Sequence, residues 1–215
     1  AAVESIKPIL TPYKLVSREF IGHDTVVNFR GVNVGGEAVI LIASLDAAST
    51  SRCAMLLALG ARIAHLPQTA RSREAQYSPD PKCPDDTAER EALRAQLPVI
   101  RRVDDTHELN ECLEYADALH IGPHAMHNAV LLRSVGQLQK PTILSRGPSA
   151  TLDELLVAAE CIVAAGNPHV VLCDGPKPAG TTQPCLVDMW GLTYLRRRSH
   201  LPIVFDLTQG IGGRD

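Results

Sequence analysis

Short, continuous apolar runs recur along the chain, with Ala-rich or charged segments between them. The runs fall at Ala38–Ala43, Ala61–His65, Leu97–Val103, Ala116–Gly122, Pro141–Ser145, His169–Cys173 and Leu201–Asp206. Most are rich in Val, Ile and Leu without alternation, the pattern of parallel strands buried on both faces. Helical patterns lie between them at Ser51–Leu59, Thr87–Gln96, Thr106–Tyr115, His127–Val135 and Thr151–Ala165. Thr106 is the expected cap of the third, with Glu108 close behind it. Asp153 and Glu154 occupy the first turn of the fifth, where the helix dipole favours acids. Gly60, Gly136 and Gly166 stand where C-caps belong. Strands alternating with helices predict a (β/α)₈ barrel, with a doubly wound sheet as the alternative; no GxGxxG follows the first strand. Thr25–Gly36 alternates, contains Gly31, and predicts a β-hairpin closing the barrel floor. The expected division is an N-terminal extension and floor hairpin at 1–36 and a barrel of strands one to seven at 37–215. The eighth βα unit of such a barrel is not in the sequence, and an open barrel leaves two exposed edges. The expectation is that the chain continues past Asp215 rather than that a partner covers the gap, and that residues precede Ala1.

Composition narrows the class. The chain has 215 residues, 45% hydrophobic and 21% charged, as in a folded globular protein. With 24 acids against 21 bases it lacks the basic excess of a nucleic-acid binder. No apolar run approaches the roughly 18 residues of a membrane span, and AAVESIKPIL has no basic, signal-like start. Six cysteines are scattered without a CxxC, which predicts reduced, mostly buried thiols and a cytoplasmic protein.

Four segments carry a resemblance: Thr11–Gly36, Glu114–Gly136, Lys140–Asn167 and Ser199–Asp215. They resemble type I 3-deoxy-D-arabino-heptulosonate-7-phosphate (DAHP) synthase, in the class with a short N-terminal extension, which is related to 3-deoxy-octulosonate-8-phosphate synthase. The resemblance implies a barrel that condenses phosphoenolpyruvate with an aldose phosphate. It also implies a divalent metal on Cys, His, Glu and Asp, and Lys and Arg at the strand ends for the phosphates. At those positions the sequence departs from the family. Asp46 stands at the metal Cys of the first strand, and His65–Arg73 replaces the Arg-Gly-Gly end and phosphate loop of the second. Arg102 replaces a Glu of the third, and His120-Ile121-Gly122-Pro123-His124 replaces Gln-Ile-Gly-Ala-Arg on the fourth. Ser145-Arg146-Gly147 replaces Lys-Arg-Gly, Asp174-Gly175-Pro176 replaces Glu-Arg-Gly, and Asp206-Leu207-Thr208-Gln209 replaces Asp-Pro-Ser-His. A substrate with about three negative charges needs matched cations, and a metal needs converging donors. The departures therefore predict loss of the family's reaction at this site.

The replacements are not apolar. His65, His120, His124, Asp46 and Asp206 are the candidate acid–base residues; Arg102, Arg146, Asp174, Ser145 and Gln209 are the candidate substrate contacts. All belong at the C-terminal ends of strands, where barrels build their chemistry. An Asp/His/Arg set suits proton transfer on a carboxylate-bearing substrate, with His as the carrier and Arg as the clamp. The same set also fits drift after loss of an active site, with Arg102 pairing Asp46 or Asp206. A zinc site on His65, His120 and His124 is not enforced by their spacing. Asp46 could still hold Mg²⁺ or Mn²⁺, but Gln209 is a weak ligand and Arg102 opposes a dication, so no metal and no cofactor are expected. Two functions follow. One is a repurposed, metal-independent enzyme on a small anionic metabolite, keto acid or shikimate-like, in specialised metabolism. The other is an inactive pseudoenzyme serving another enzyme of the same pathway. A homo-oligomer is expected in both cases, without nucleic acid or membrane.

Overall fold

The computed structural model describes residues 12–36, 41–44, 60–66, 97–176 and 188–206. The expected helices at Ser51–Leu59 and Thr87–Gln96 lie outside the described residues, as do Asp46 and Gln209. The chain opens with a hairpin of β1 (Val27–Phe29) and β2 (Val32–Val34), paired antiparallel with Phe29 opposite Val32. Arg30 and Gly31 turn it with φ of 43° and 91°, the left-handed pair of a two-residue turn. Asn28 Oδ1 accepts the Gly31 N–H at 2.8 Å.

Seven parallel strands follow in one sheet, each paired with its neighbour in sequence. They are β3 (Leu41–Ser44), β4 (Ala61–Leu66), β5 (Val99–Val103), β6 (Ala118–Ile121), β7 (Thr142–Ser145), β8 (Val170–Asp174) and β9 (Ile203–Phe205). That sequential order is a barrel's and rules out the doubly wound alternative, whose order reverses at a switch point. The helices described are α1 (Thr106–Tyr115), α2 (Ala129–Gly136), α3 (Leu152–Ala164) and α4 (Met189–Arg198). None is long and apolar enough to cross a membrane.

Several boundaries differ from the sequence reading, each for a local reason. Pro98, Pro141 and Pro202 have no N–H for the ladder, so β5, β7 and β9 begin after them. Their carbonyls still accept from Ala64, Leu119 and Leu172 of the adjoining strands. Asp105, not Thr106, caps α1, its Oδ1 accepting the His107 N–H. Asn128 caps α2 through the Leu131 N–H, so α2 starts two residues after His127. Thr151 and Glu154 form a reciprocal capping box on α3. Gly136 is not a C-cap but the last residue of α2. A Cβ there would meet the Ala165 side chain and, at 2.7 Å, the Ile162 carbonyl, so glycine lets α2 lie close on α3.

Two apolar clusters divide the molecule. Between sheet and helices, Leu119, Ile121, Leu144, Val170 and Leu172 meet Leu131, Val135, Leu155, Leu156 and Ile162. Inside the barrel, Ile63, Ile100, Ala118, Ile143 and Val171 meet Val27, Phe29 and Val34 of the hairpin. The hairpin thus fills the floor. Residues 12–25 are held to the outside by a nest of bonds: the Glu160 carboxylate accepts the N–H groups of Lys14, Leu15 and Val16, each at 3.0 Å. His200 is structural, lying between Leu15 O and Thr25 Oγ1.

Candidate active site

The inward face of each strand changes character within two residues. Ile63, Ile100, Ala118, Ile143, Val171 and Val204 form an apolar layer on β4 to β9. Two positions on, the same face carries His65, Arg102, His120, Ser145, Cys173 and Asp206. The side-chain period of two places both layers inside. His120 faces the interior while Leu119 and Ile121 face the helices.

In the polar layer a hydrogen-bonded row runs along the inner face of the sheet from β4 to β7. His65 Nε2 lies 2.7 Å from His120 Nδ1, with the rings edge-to-face. His120 Nε2 lies 2.7 Å from Ser145 Oγ. Burial pushes His65 down from 6.5 to about 4, against an upward pull from Asp206 and with a further downward push from Arg102. His120 is held well below 6.5 by burial, then by His65 and Arg102. Both imidazoles are therefore neutral at neutral pH. Burial pushes the Cys173 thiol up to about 12, against a smaller downward pull from the Ser145 hydroxyl.

A cleft of about 380 Å³ opens beside this row, lined by Arg102, His124, Ser145, Arg146, Asp174 and Asp206, with Cys173 and Gly147 on its wall. Arg146 and Asp174 join the ends of β7 and β8, with side chains only 5% and 2% exposed. Asp174 Oδ1 accepts from Arg146 Nε at 2.8 Å, Arg146 Nη2 at 2.6 Å and the Gly175 N–H at 2.9 Å. Asp174 Oδ2 is buried without a partner. Arg102 does not pair with Asp206 in this way. It takes Asp104 in a two-pronged bond, Nε to Oδ1 at 3.1 Å and Nη2 to Oδ2 at 3.0 Å. A Cβ at Gly122 would fall on that pair, so the glycine of the His120–His124 motif makes room for it.

The structure thus brings His65, His120, Ser145, Arg102, His124, Arg146, Asp174 and Asp206 to one end of the barrel. His124 is exposed at the rim, apart from the His65–His120 bond. Cys173, one of the buried thiols expected, also lies on the cleft wall. One residue beside the site escaped the sequence reading. Asp104 was not singled out, although it stands two residues after Arg102. Cys161, expected among buried thiols, is exposed.

The divalent metal that the resemblance implies does not fit the donors described. His65 Nε2 and both nitrogens of His120 are bonded to one another or to Ser145. Among the described residues no three His, Cys, Asp or Glu side chains converge on a metal-sized site.

The DAHP synthetase I family profile matches residues 22–215. Phospho-2-dehydro-3-deoxyheptonate aldolase of Thermotoga maritima is 30% identical over 231 positions, covering 99% of this chain and 65% of that protein. A 2-dehydro-3-deoxyphosphooctonate aldolase of Pseudomonas putida is 26% identical over 123 positions, covering 55% of this chain and 42% of that protein. The crystal structure of the Thermotoga maritima DAHP synthase superposes with a TM-score of 0.78 and 26% identity, covering 92% of this chain and 59% of that one. A truncated form of the enzyme from the same organism gives 0.76 and 27%, covering 91% and 73%. The chain thus spans less than two thirds of the full-length relatives it matches.

Proposed function

We propose, since the chain belongs to the DAHP synthetase I family, that its barrel mouth is an enzyme site turned from the family's reaction to metal-independent acid–base chemistry on a small anionic metabolite. The carrying observation is the polar interior layer, where two neutral imidazoles are bonded in a row that ends on a cleft with two arginines. The arginines do not supply a surplus of charge. Arg146 is matched by Asp174 and Arg102 by Asp104. Such a wall suits one carboxylate, not a substrate with two phosphates. A keto acid or a shikimate-like acid has that charge and fits the volume.

Arg102 is the clamp in this reading, since it can exchange part of its bond with Asp104 for a substrate carboxylate. Its partial exposure leaves that exchange open to a ligand. His124 at the rim and His120 behind Ser145 are the proton carriers; neutral imidazole takes up a proton and returns it. Asp206, whose field favours a charged His65, stabilises the proton once it has moved inward.

The test is binding and turnover without added metal. Pyruvate, shikimate, chorismate, phosphoenolpyruvate and erythrose 4-phosphate are screened by thermal shift, with Arg102→Ala and His124→Ala beside the wild type. Stabilisation by a carboxylate, lost in Arg102→Ala, supports the reading. Metal-dependent condensation of phosphoenolpyruvate with erythrose 4-phosphate overturns it in favour of the relatives' reaction. No ligand effect, together with stimulation of another pathway enzyme's rate, favours the inactive-partner alternative.

A further inference from the structure

The atoms that join Ser145, His120 and His65 are those of a nucleophile, its base and the group that orients the base. Ser145 Oγ meets His120 Nε2 at 2.7 Å, and the other ring nitrogen of His120 meets His65 Nε2 at 2.7 Å. Serine activation uses this order, with the base between nucleophile and orienter. Each strand contributes its part from the same layer: β7 the serine, β6 the base and β4 the orienter. We propose that Ser145 is a covalent nucleophile, activated by His120 and His65, that takes the acyl group of a small carboxylate-bearing ester or thioester bound in the cleft. This rests on the reading of the mouth as an acid–base site and adds a bond-forming residue to it.

The directions of the bonds fit. In the tautomer this order needs, the Ser145 hydroxyl donates to His120 Nε2, while the Cys173 thiol turns to the Asp174 carbonyl. His120 then carries its proton on Nδ1 and donates it to His65 Nε2. When Ser145 Oγ attacks the acyl carbon, the Oγ–C bond forms and the Oγ proton passes to Nε2. The Nδ1 proton can shift to His65, which brings the positive charge toward Asp206 and away from the deeper ring. The bond to the leaving oxygen or sulfur breaks, and the proton returns to that atom from His120. Water, deprotonated by the same base, then cleaves the acyl-serine to free acid and restores the hydroxyl. For the tetrahedral oxyanion, Gly147 lies on the cleft wall. Its N–H donates to the Met126 sulfur at 3.4 Å, a weak acceptor that an anion displaces.

Phenylmethanesulfonyl fluoride and 4-nitrophenyl acetate test this without the natural substrate, so failure of ligand binding and failure of the nucleophile are separately visible. The expected result is one adduct per chain, located on Ser145 by peptide mass spectrometry and absent from Ser145→Ala. The labelling rate falls by about 10²-fold or more in His120→Gln and to a smaller extent in His65→Gln. The half-buried Ser134 of α2 is an internal control in every sample. Labelling of Ser145 no faster than of Ser134 in the wild type overturns the proposal. So does a rate unchanged in His65→Gln and His120→Gln. Should His120→Gln fail to fold, the wild-type ratio and His65→Gln decide.

Discussion

The floor and the mouth of the barrel are two residues apart on the same strands, yet they are built on opposite principles. The floor joins Ile63, Ile100, Ile143 and Val171 to the hairpin's Val27 and Phe29, all buried. Each fully buried side chain of this kind contributes about 1.5–3 kcal/mol, whatever its exact partner. The mouth places His65, His120, Ser145, Arg146 and Asp174 in a similar depth of protein, where burial of polar groups roughly breaks even and only when every bond is made. The apolar layer therefore supplies stability and the polar layer draws on it. The difference also separates tolerance from specificity: an isoleucine can be exchanged for another hydrophobe, whereas the polar row works only with particular atoms at particular places.

The strongest way to break this contrast is to remove one half of the mouth's ion pair. Arg146→Ala leaves the Asp174 carboxylate buried without a cation, which costs about 3–5 kcal/mol. Replacing both residues, Arg146→Met with Asp174→Leu, restores most of that loss, because an apolar pair of similar volume is often neutral. Urea unfolding of the two variants measures it. Equal destabilisation of single and double variants would mean that the pair contributes net stability, as a floor residue does.

Acid sharpens the comparison next. His65 is held neutral to about pH 4 in the fold, whereas an unfolded histidine protonates near 6.5. The unfolded chain therefore binds more protons between those values, and stability rises with pH across that window. It is fully present above about 6.5 and lost as pH falls toward 4, on the order of 3 kcal/mol for this group, with His120 adding in the same direction. Asp24, held down chiefly by Arg18, and Asp105, chiefly by Thr106, contribute at lower pH. The measurement is unfolding free energy from pH 7 to 4, repeated in His65→Gln. A slope between 6.5 and 4 that survives both His65→Gln and His120→Gln would place the acid sensitivity outside the mouth.

The floor was more legible in the sequence than the mouth. Continuous Val/Ile/Leu runs and the Gly31 turn gave seven strands and the hairpin, because burial acts on residue type alone. Prolines set strand entry by removing a donor, which moved the starts at Leu97, Pro141 and Leu201 inward. The bonds of His120 were not legible, since a hydrogen bond between β4 and β6 depends on strand stagger. Arg102 paired with its near neighbour Asp104, not across the barrel, because a two-pronged bond at short range costs less side-chain freedom. Asp46 and Gln209 lie outside the described residues, so the expectation attached to them stands as sequence reasoning.

A turn variant acts on the floor alone. Gly31 has φ of 91°, which an L side chain adopts at a cost of about 1–2 kcal/mol. Gly31→Ala should lower stability by that amount through the hairpin. Serine labelling at Ser145, measured below the unfolding range, should stay unchanged. A fall in labelling would show that the floor and the mouth are mechanically coupled.

The smallest expected effect is the most direct comparison, because both positions sit on β7. Ile143→Val removes one buried methylene from the floor and costs about 0.5–1.5 kcal/mol. The valine keeps the branched shape, so the layer above keeps its register and Ser145 keeps its bond to His120. Ser145→Ala, two residues on, removes one oxygen and leaves His120 Nε2 without its partner, a stability cost of about 1–3 kcal/mol. The two changes in stability are therefore close. Their effects on reactivity are not: Ile143→Val should label with the wild-type rate, and Ser145→Ala should not label at all. Loss of labelling in Ile143→Val at temperatures where it is fully folded would mean that the polar row depends on the fine packing of the layer beneath it. The contrast between an exchangeable floor and a specific mouth would then fail at the strand where it is drawn most sharply.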